Sequence, residues 1–296
     1  MNTEDNLFGT LGVHPVWYTR LAQRGITVPT AVQNLVIPEL LAGNSSIYRS
    51  ATGTGKTLAY LIPALQRIIT ETQQTSPDGP VLIVCAPTLE LCSQIKKEVD
   101  FLLDGKSSTA LLIGSTDMSR QIDSLKKNKP LAAVGNPGRL LLLAKMGKLK
   151  FGGLRFLVLD EADRLTVKEC RDETTALVQI ITDKVKNNSF PLITAACSAT
   201  VSGKTRQALG PLLEHAQFLE TDEHEILRER IQHWAIFSES RKKTQTLIAF
   251  IAAVKPHKAL VFTSRSYDAG KIISIMQHRK IAAAALHSGM GKKERK

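Results

Sequence analysis

Short runs rich in Val, Ile, Leu and Ala recur along this chain, separated by longer segments with helical spacing. They fall at residues 46–49, 81–86, 110–113, 131–135, 156–160 and 192–198, and most end in turn or polar residues. Segments 59–72, 89–103 and 119–128 place apolar residues at helical intervals. Strand and helix in alternation predict βαβ units, hence an α/β fold with a parallel sheet covered by helices on both faces. In such sheets the chemistry gathers beyond the carboxyl ends of the strands. Four polar clusters follow predicted strands: the loop from Ser50, then Pro87-Thr88, Asp160-Glu161 and Ser198-Ala199-Thr200. One crevice can serve them all.

The first of these, Ser50-Ala51-Thr52-Gly53-Thr54-Gly55-Lys56-Thr57, joins a strand-type run to a helix-type run. Glycines at Gly53 and Gly55 let the backbone turn tightly and approach an anion closely. Amides at the start of the next helix would face phosphate oxygens, with the helix dipole behind them. Lys56 can reach the β and γ oxygens and the Thr57 hydroxyl can ligand Mg2+. The phosphate-loop pattern asks for a first glycine where this chain has Ser50. On the loop alone, a plain Gly-rich turn remains the competing reading.

The acidic cluster Asp160-Glu161-Ala162-Asp163 ends the apolar run Leu157-Val158-Leu159. An Asp there can hold Mg2+, usually through water, opposite the Thr57 hydroxyl. The neighbouring Glu161 can orient or deprotonate a water. An acidic loop after a strand is the bland alternative, but its place downstream of a phosphate loop favours the chemical reading.

At 296 residues and 43% hydrophobic content, the chain can bury a sizeable core and has room for two domains. It holds no apolar run near the roughly 18 residues needed to span a bilayer. The start, Met1-Asn2-Thr3-Glu4-Asp5, is polar and acidic, unlike a signal or transit peptide. An intracellular place is expected, nucleus, nucleolus or cytoplasm, with no address visible and no membrane. Cys85, Cys92, Cys170 and Cys197 have no CxxC spacing; Cys85 and Cys197 read as reduced core residues. Net charge is +12: residues 1–221 carry 24 Lys/Arg against 20 Asp/Glu, and residues 222–296 carry 15 against 7. A polyanion such as nucleic acid fits that excess, as do ordinary solvated lysines.

A boundary is expected at the charged stretch 222–231, after the apolar run 216–219. Beyond it the alternation restarts, with strands expected at 232–237, 259–263 and 281–286 and helices at 241–254 and 267–278. The expected organisation is a first domain at 1–221, a linker at 222–231 and a partial second domain at 232–296.

The phosphate loop and Asp160-Glu161-Ala162-Asp163 together resemble the DEAD-box ATP-dependent RNA helicases, whose first loop position is usually small rather than Gly. Further matches follow in the family's order. Residues 25–33 (GITVPTAVQ) resemble the Q motif, with Phe8 as the upstream aromatic. Pro87-Thr88-Leu89-Glu90-Leu91 resembles motif Ia, Asn136-Pro137-Gly138-Arg139 motif Ib and Ser198-Ala199-Thr200 the SAT motif. Val261-Phe262-Thr263-Ser264-Arg265 resembles motif IV, and His287-Ser288-Gly289-Met290 with Glu294-Arg295 a later segment.

The resemblance implies a RecA-like first domain and part of a second, binding ATP and Mg2+ and gripping RNA by its backbone with little sequence preference. Lys56, Asp160, Glu161, Asp163, Ser198 and Thr200 would carry catalysis and its coupling, with Asp163 touching the SAT motif. Phe8, Gln33, Ser50, Ala51, Thr52, Gly53, Thr54, Gly55, Lys56 and Thr57 would bind the nucleotide, Gln33 at the adenine edge and Phe8 near the base. Thr57 and Asp160 would hold the metal. Pro87, Thr88, Gly114, Pro137, Gly138 and Arg139 would meet RNA. Leu89 stands where the family usually has an arginine, Ser115 replaces a glycine, and Asn136 replaces a threonine. Motifs V and VI do not occur up to Lys296, so ATP binding with poor hydrolysis is expected of this chain, with a protein partner completing or regulating the second domain. A nucleotide-binding, non-catalytic RNA scaffold is the alternative.

Overall fold

The computed structural model describes residues 7–51, 53–71, 78–104, 109–186, 188, 190–200, 203–221, 232–287 and 290. Thr52, the stretch 222–231, Ser288, Gly289, Glu294 and Arg295 lie outside the described residues. The chain divides into two compact units, Met1–Ile231 and Gln232–Lys296.

The larger unit is built on seven strands: β1 (Ser46–Arg49), β2 (Leu82–Cys85), β3 (Thr109–Leu112), β4 (Ala132–Gly135), β5 (Phe156–Asp160), β6 (Ile193–Ser198) and β7 (Gln217–Glu220). Their order across the sheet is β3-β4-β2-β5-β6-β1-β7, and every pair is parallel. The six runs read from sequence fall on β1 to β6. β2, β4, β5 and β6 are buried along their whole length. Strands covered on both faces need no polar alternation, which is why they read as continuous apolar runs.

Helices cover the two faces. α1 (Pro15–Ala22), α2 (Ala31–Ala42), α3 (Lys56–Glu71) and α4 (Leu89–Leu103) contribute to one core with Trp17, Val36, Leu65, Ile95 and Phe156. α5 (Met118–Asn128) partly buries Ile122 and Leu125 on the opposite core, which contains Leu140 of α6 (Pro137–Lys145) and Leu177 of α8 (Lys168–Val185). Between them runs the four-residue α7 (Ala162–Leu165). α9 (Gly203–Leu213) precedes β7. Local signals set the ends: the Thr88 side chain accepts from Leu91 N and Asp117 from Arg120 N, capping α4 and α5.

The structure differs from expectation in two places. β7 arises where only an apolar run was read, because its four residues are mostly exposed at the sheet edge and show no buried pattern. In the smaller unit, α10 (Lys243–Val254) and α11 (Ser266–His278) form as expected. The expected strands at 232–237, 259–263 and 281–286 do not form. A strand exists only through its ladder, and these segments make none. Side chains of the first two segments accordingly face solvent, Phe237 being 96% and Phe262 88% exposed. Within this unit Trp234 packs edge-to-face on Phe250, ring centroids 5.8 Å apart.

Candidate functional site

The site lies along the carboxyl edge of the larger unit's sheet. Strand order divides it: the loops after β3, β4 and β2 carry Gly114, Pro137-Gly138-Arg139 and Pro87-Thr88, and those after β5, β6 and β1 carry Asp160, Ser198 and the phosphate loop. The expected RNA residues thus occupy one half of the edge and the expected nucleotide residues the other. The β2–β5 pair joins the halves. Sequence order interleaves them; the sheet sorts them.

The register levels the nucleotide half. Asp160 is opposite Cys197, Ser198 is opposite Arg49, and Ser50 N donates to Ser198 O at 3.2 Å. β1 and β5 flank β6, so their ends stand about 10 Å apart at normal strand spacing. That width suits a phosphate and a hydrated cation.

The phosphate loop is internally braced. Ser50 Oγ and Thr54 Oγ1 are 2.6 Å apart, and Thr54 Oγ1 donates to Ala51 O at 2.8 Å. Lys56 Nζ donates to Ser50 O at 2.9 Å and Ala51 O at 3.1 Å, so its ammonium lies inside the loop. Gly53 and Gly55 have φ of +81° and +93°. A Cβ on Gly55 would stand 2.5 Å from Gln33 Nε2. The backbone sign favours glycine there, and a Cβ would also push the Gln33 amide aside. Gly55→Ala is expected to cost about 1–2 kcal/mol from the left-handed backbone alone. A thermal melt should show a fall of about 2–8 °C in Tm.

Gln33 is why the approach is close. Its Oε1 accepts from Thr30 N at 3.0 Å and its Nε2 donates to Gly55 O at 3.2 Å, with the residue 1% exposed. The side chain therefore ties the start of α2 to the phosphate loop, an arrangement the sequence did not reveal. Phe8 is placed otherwise than expected. It is 0% exposed within the core that also holds Trp17 and Leu21, so it packs the unit's interior and presents no face to a base.

Asp160 is 4% exposed and heavily engaged. Its Oδ2 accepts from Tyr60 Oη at 2.8 Å, and its Oδ1 accepts from Glu161 N at 2.8 Å and Cys197 Sγ at 3.0 Å. Three of roughly four lone-pair directions are taken, so the carboxylate is oriented with one direction left. Neither Tyr60 nor Cys197 is assigned to the site by the sequence: Cys197 reads as a reduced core cysteine, and Tyr60 lies in the helix-type run after the phosphate loop. Glu161 holds a left-handed conformation, φ +50°, ψ +52°, which is uncommon for a non-glycine residue. Its Oε2 accepts from Arg164 Nη1 at 2.7 Å. No described residue donates to its other oxygen, which suits it to a water.

Two connections leave this centre. Thr200 Oγ1 donates to Asp163 Oδ2 at 2.7 Å, and Asp163 N donates to Ser198 Oγ at 3.3 Å, linking the loops after β5 and β6. On the other half, Arg139 donates to Gly114 O at 3.1 Å and Thr116 O at 3.3 Å, tying the loop after β4 to that after β3. A Cβ on Gly138 would meet the Glu173 carboxylate at 2.8 Å. Leu89 packs partly buried against the core, where an arginine would reach outward. Among the described residues no His/Cys/Asp/Glu group of three surrounds a metal position. No described helix is long and apolar enough to cross a membrane.

Burial pushes the acidic hydrogens beneath the site upward. The Tyr48 and Tyr60 phenols and the Cys85 and Cys197 thiols lie well above their ordinary values, first through loss of water; the Asp160 charge adds to this for all but Cys85. Cys92 is pushed up to about 12, chiefly by burial. In the unfolded chain these groups ionise from about pH 8.5 upward. Above that pH the unfolded state binds fewer protons than the folded one, so stability falls as pH rises, by at most about 1.4 kcal/mol per pH unit for each group. Denaturant midpoints at neutral and alkaline pH should show this decline.

The family model described as DEAD/DEAH box helicase matches residues 30–209, well over half of the chain. The chain belongs to the DEAD/DEAH box helicase family. It is 34% identical over 267 residues to DEAD-box ATP-dependent RNA helicase CshC of Bacillus cereus, covering 90% of this chain and 65% of that protein. It is 29% identical over 335 residues to DEAD-box ATP-dependent RNA helicase 47B of Oryza sativa subsp. japonica, covering 96% of this chain and 58% of the relative. The fold resembles S. cerevisiae Dbp5 bound to RNA and ADP BeF3, with a TM-score of 0.74 and 21% identity over 98% of this chain and 71% of Dbp5. This chain spans somewhat under two thirds of the length of the two sequence relatives.

Proposed function

We propose that this chain is the nucleotide-binding part of an ATP-dependent RNA helicase, with ATP and RNA held side by side on one sheet edge. One observation carries the reading: strand order gathers the phosphate loop, Asp160-Glu161 and Ser198-Ala199-Thr200 on one half, beside the Thr88 and Arg139 loops on the other. CshC and helicase 47B are named as ATP-dependent RNA helicases, and Dbp5 is bound to RNA and ADP BeF3, which supports the same pair of ligands here.

Lys56 would exchange its bonds to the Ser50 and Ala51 carbonyls for phosphate oxygens, a stronger charge-assisted pairing. Mg2+ fits the donor set: the Thr57 hydroxyl and the Asp160 carboxylate are hard oxygen donors. Because Asp160 keeps about one free lone-pair direction, it would hold the ion through water. The ion would neutralise charge on the β and γ oxygens. Glu161, with one oxygen anchored by Arg164, would orient the attacking water with the other. Thr200, bonded to Asp163, would report the state of that centre to the loop after β6.

On the RNA half, the Thr88 hydroxyl, the Gly138 amide and Arg139 would meet sugar and phosphate, which positions a strand without reading its bases. Residues 1–221 and 232–296, with 222–231 between them, are proposed as a RecA-like domain and part of a second. ATP turnover measured with and without single-stranded RNA tests the proposal. RNA-stimulated turnover abolished by Lys56→Ala and Glu161→Gln supports it; turnover indifferent to both substitutions contradicts it.

A further inference from the structure

Positive charge in the larger unit is concentrated in one stretch. Residues 118–150 hold eight Lys/Arg against a single acidic residue, Asp123, whereas the rest of residues 1–221 hold 16 Lys/Arg against 19 Asp/Glu. The fold draws four of these lysines together. Lys126, Lys129, Lys148 and Lys150 line a hollow of about 360 Å3 with Asp78 and Gly79. It opens at the amino ends of β2 and β4, the edge of the sheet opposite the crevice.

Lys150 is offset by Asp78 at 2.9 Å, an exposed pair. No described carboxylate pairs with Lys126, Lys129 or Lys148. The C-terminus of α5 contributes about half a negative charge, which leaves the hollow at roughly +2.5. Capping one helix end does not call for three unpaired ammonium groups. The wall is also built rather than loose: Gly79 has φ +104°, and a Cβ there would stand 2.3 Å from the Lys150 carbonyl oxygen. Only glycine lets the two segments meet so closely.

We infer that this hollow is a second seat for RNA phosphates, reached by a single strand that leaves the Arg139 side of the crevice along α5. The inference rests on the RNA reading above. α5 starts beside the loop whose Gly114 and Thr116 carbonyls accept from Arg139, and it ends at Asn128 with Lys129 as its C-cap. Its 11 residues span about 16 Å, the length of about five stacked nucleotides. A strand filling the crevice therefore needs only a short extension to bring phosphates to the lysines. Unpaired ammonium groups round an open hollow suit repeated point charges rather than base edges, so the seat adds affinity without sequence preference.

The test uses the full chain and labelled oligouridylates of about 6 and about 20 nucleotides, a length difference that exceeds the α5 span. The variant combines Lys126→Gln, Lys148→Gln and Lys129→Asn, asparagine being chosen because φ is +42° there. Its thermal melt should match the parent's. The longer RNA should bind it about tenfold more weakly, with the salt slope reduced by about 2, since each lost contact removes roughly 0.7. The shorter RNA should bind both proteins alike. Unchanged affinity and slope for the longer RNA would overturn the inference. So would poly-glutamate losing affinity as strongly as RNA, which would make the seat one for acidic chains. A short RNA that never binds the parent chain contradicts the crevice reading instead, and the longer RNA still decides the hollow.

Discussion

Lys56→Ala is expected to weaken ATP binding about 10- to 100-fold, the loss of one charged hydrogen-bonding partner at a phosphate. Lys56 is the one cation between Ser50 and Thr57. Ser50 and Thr54 are occupied with each other and with Ala51 O, and Gly53 and Gly55 have no side chains. The fold should survive, because among the described residues Lys56 Nζ bonds only to the Ser50 and Ala51 carbonyls and pairs with no buried charge. Isothermal titration with ATP and Mg2+ measures the loss, and an unchanged melting temperature separates it from unfolding.

Glu161→Gln should act on the other side of the reaction. Glutamine keeps the shape of the side chain and can still accept from Arg164, so the left-handed turn at φ +50° should persist. What disappears is the carboxylate that orients and deprotonates water. The expected result is ATP affinity within a few-fold of the parent and a chemical step slower by about 10²- to 10⁴-fold, the usual worth of a positioned base. Single-turnover measurement under saturating ATP reads this step directly. The two variants together separate binding from chemistry: one loses the ligand, the other keeps it and fails to cleave it.

Much of this site is local in sequence. The phosphate loop, the acidic cluster and the SAT cluster each sit where a buried strand runs out, and a run of apolar residues followed by polar ones is visible without a structure. The sheet itself was legible for the same reason, since β1 to β6 are short apolar runs. β7 was not, because an exposed edge strand has no buried period to show. The strands expected in residues 232–296 had the right composition, yet composition only allows a strand; a neighbour's ladder makes it.

Apart from the contact of Asp163 with Ser198 and Thr200, expected by resemblance, side-chain partnerships across the fold were beyond reach. Cys197 reads as a core residue and Tyr60 as part of a helix-type run, and only the register placing Cys197 opposite Asp160, with α3 bringing Tyr60 to the same carboxylate, reveals what they orient. Gln33 was singled out for the adenine, but its bond to Gly55 O appears only when α2 and the phosphate loop meet. Phe8 shows the converse: an aromatic at the expected distance upstream is spent on the core. Charge placement has the same limit: sequence shows the excess of the last quarter of the chain, whereas only the fold shows that four lysines of residues 118–150 line one hollow.

The account stands on ATP and RNA sharing one crevice, and thermodynamic linkage tests that directly. The dissociation constant of a fluorescent ATP analogue, measured with Mg2+ in the presence and absence of saturating single-stranded RNA, should be lower with RNA. The RNA constant should fall by the same factor when the analogue is saturating, and Lys56→Ala should remove both effects. Two ligands that bind this chain with constants indifferent to each other would contradict the claim.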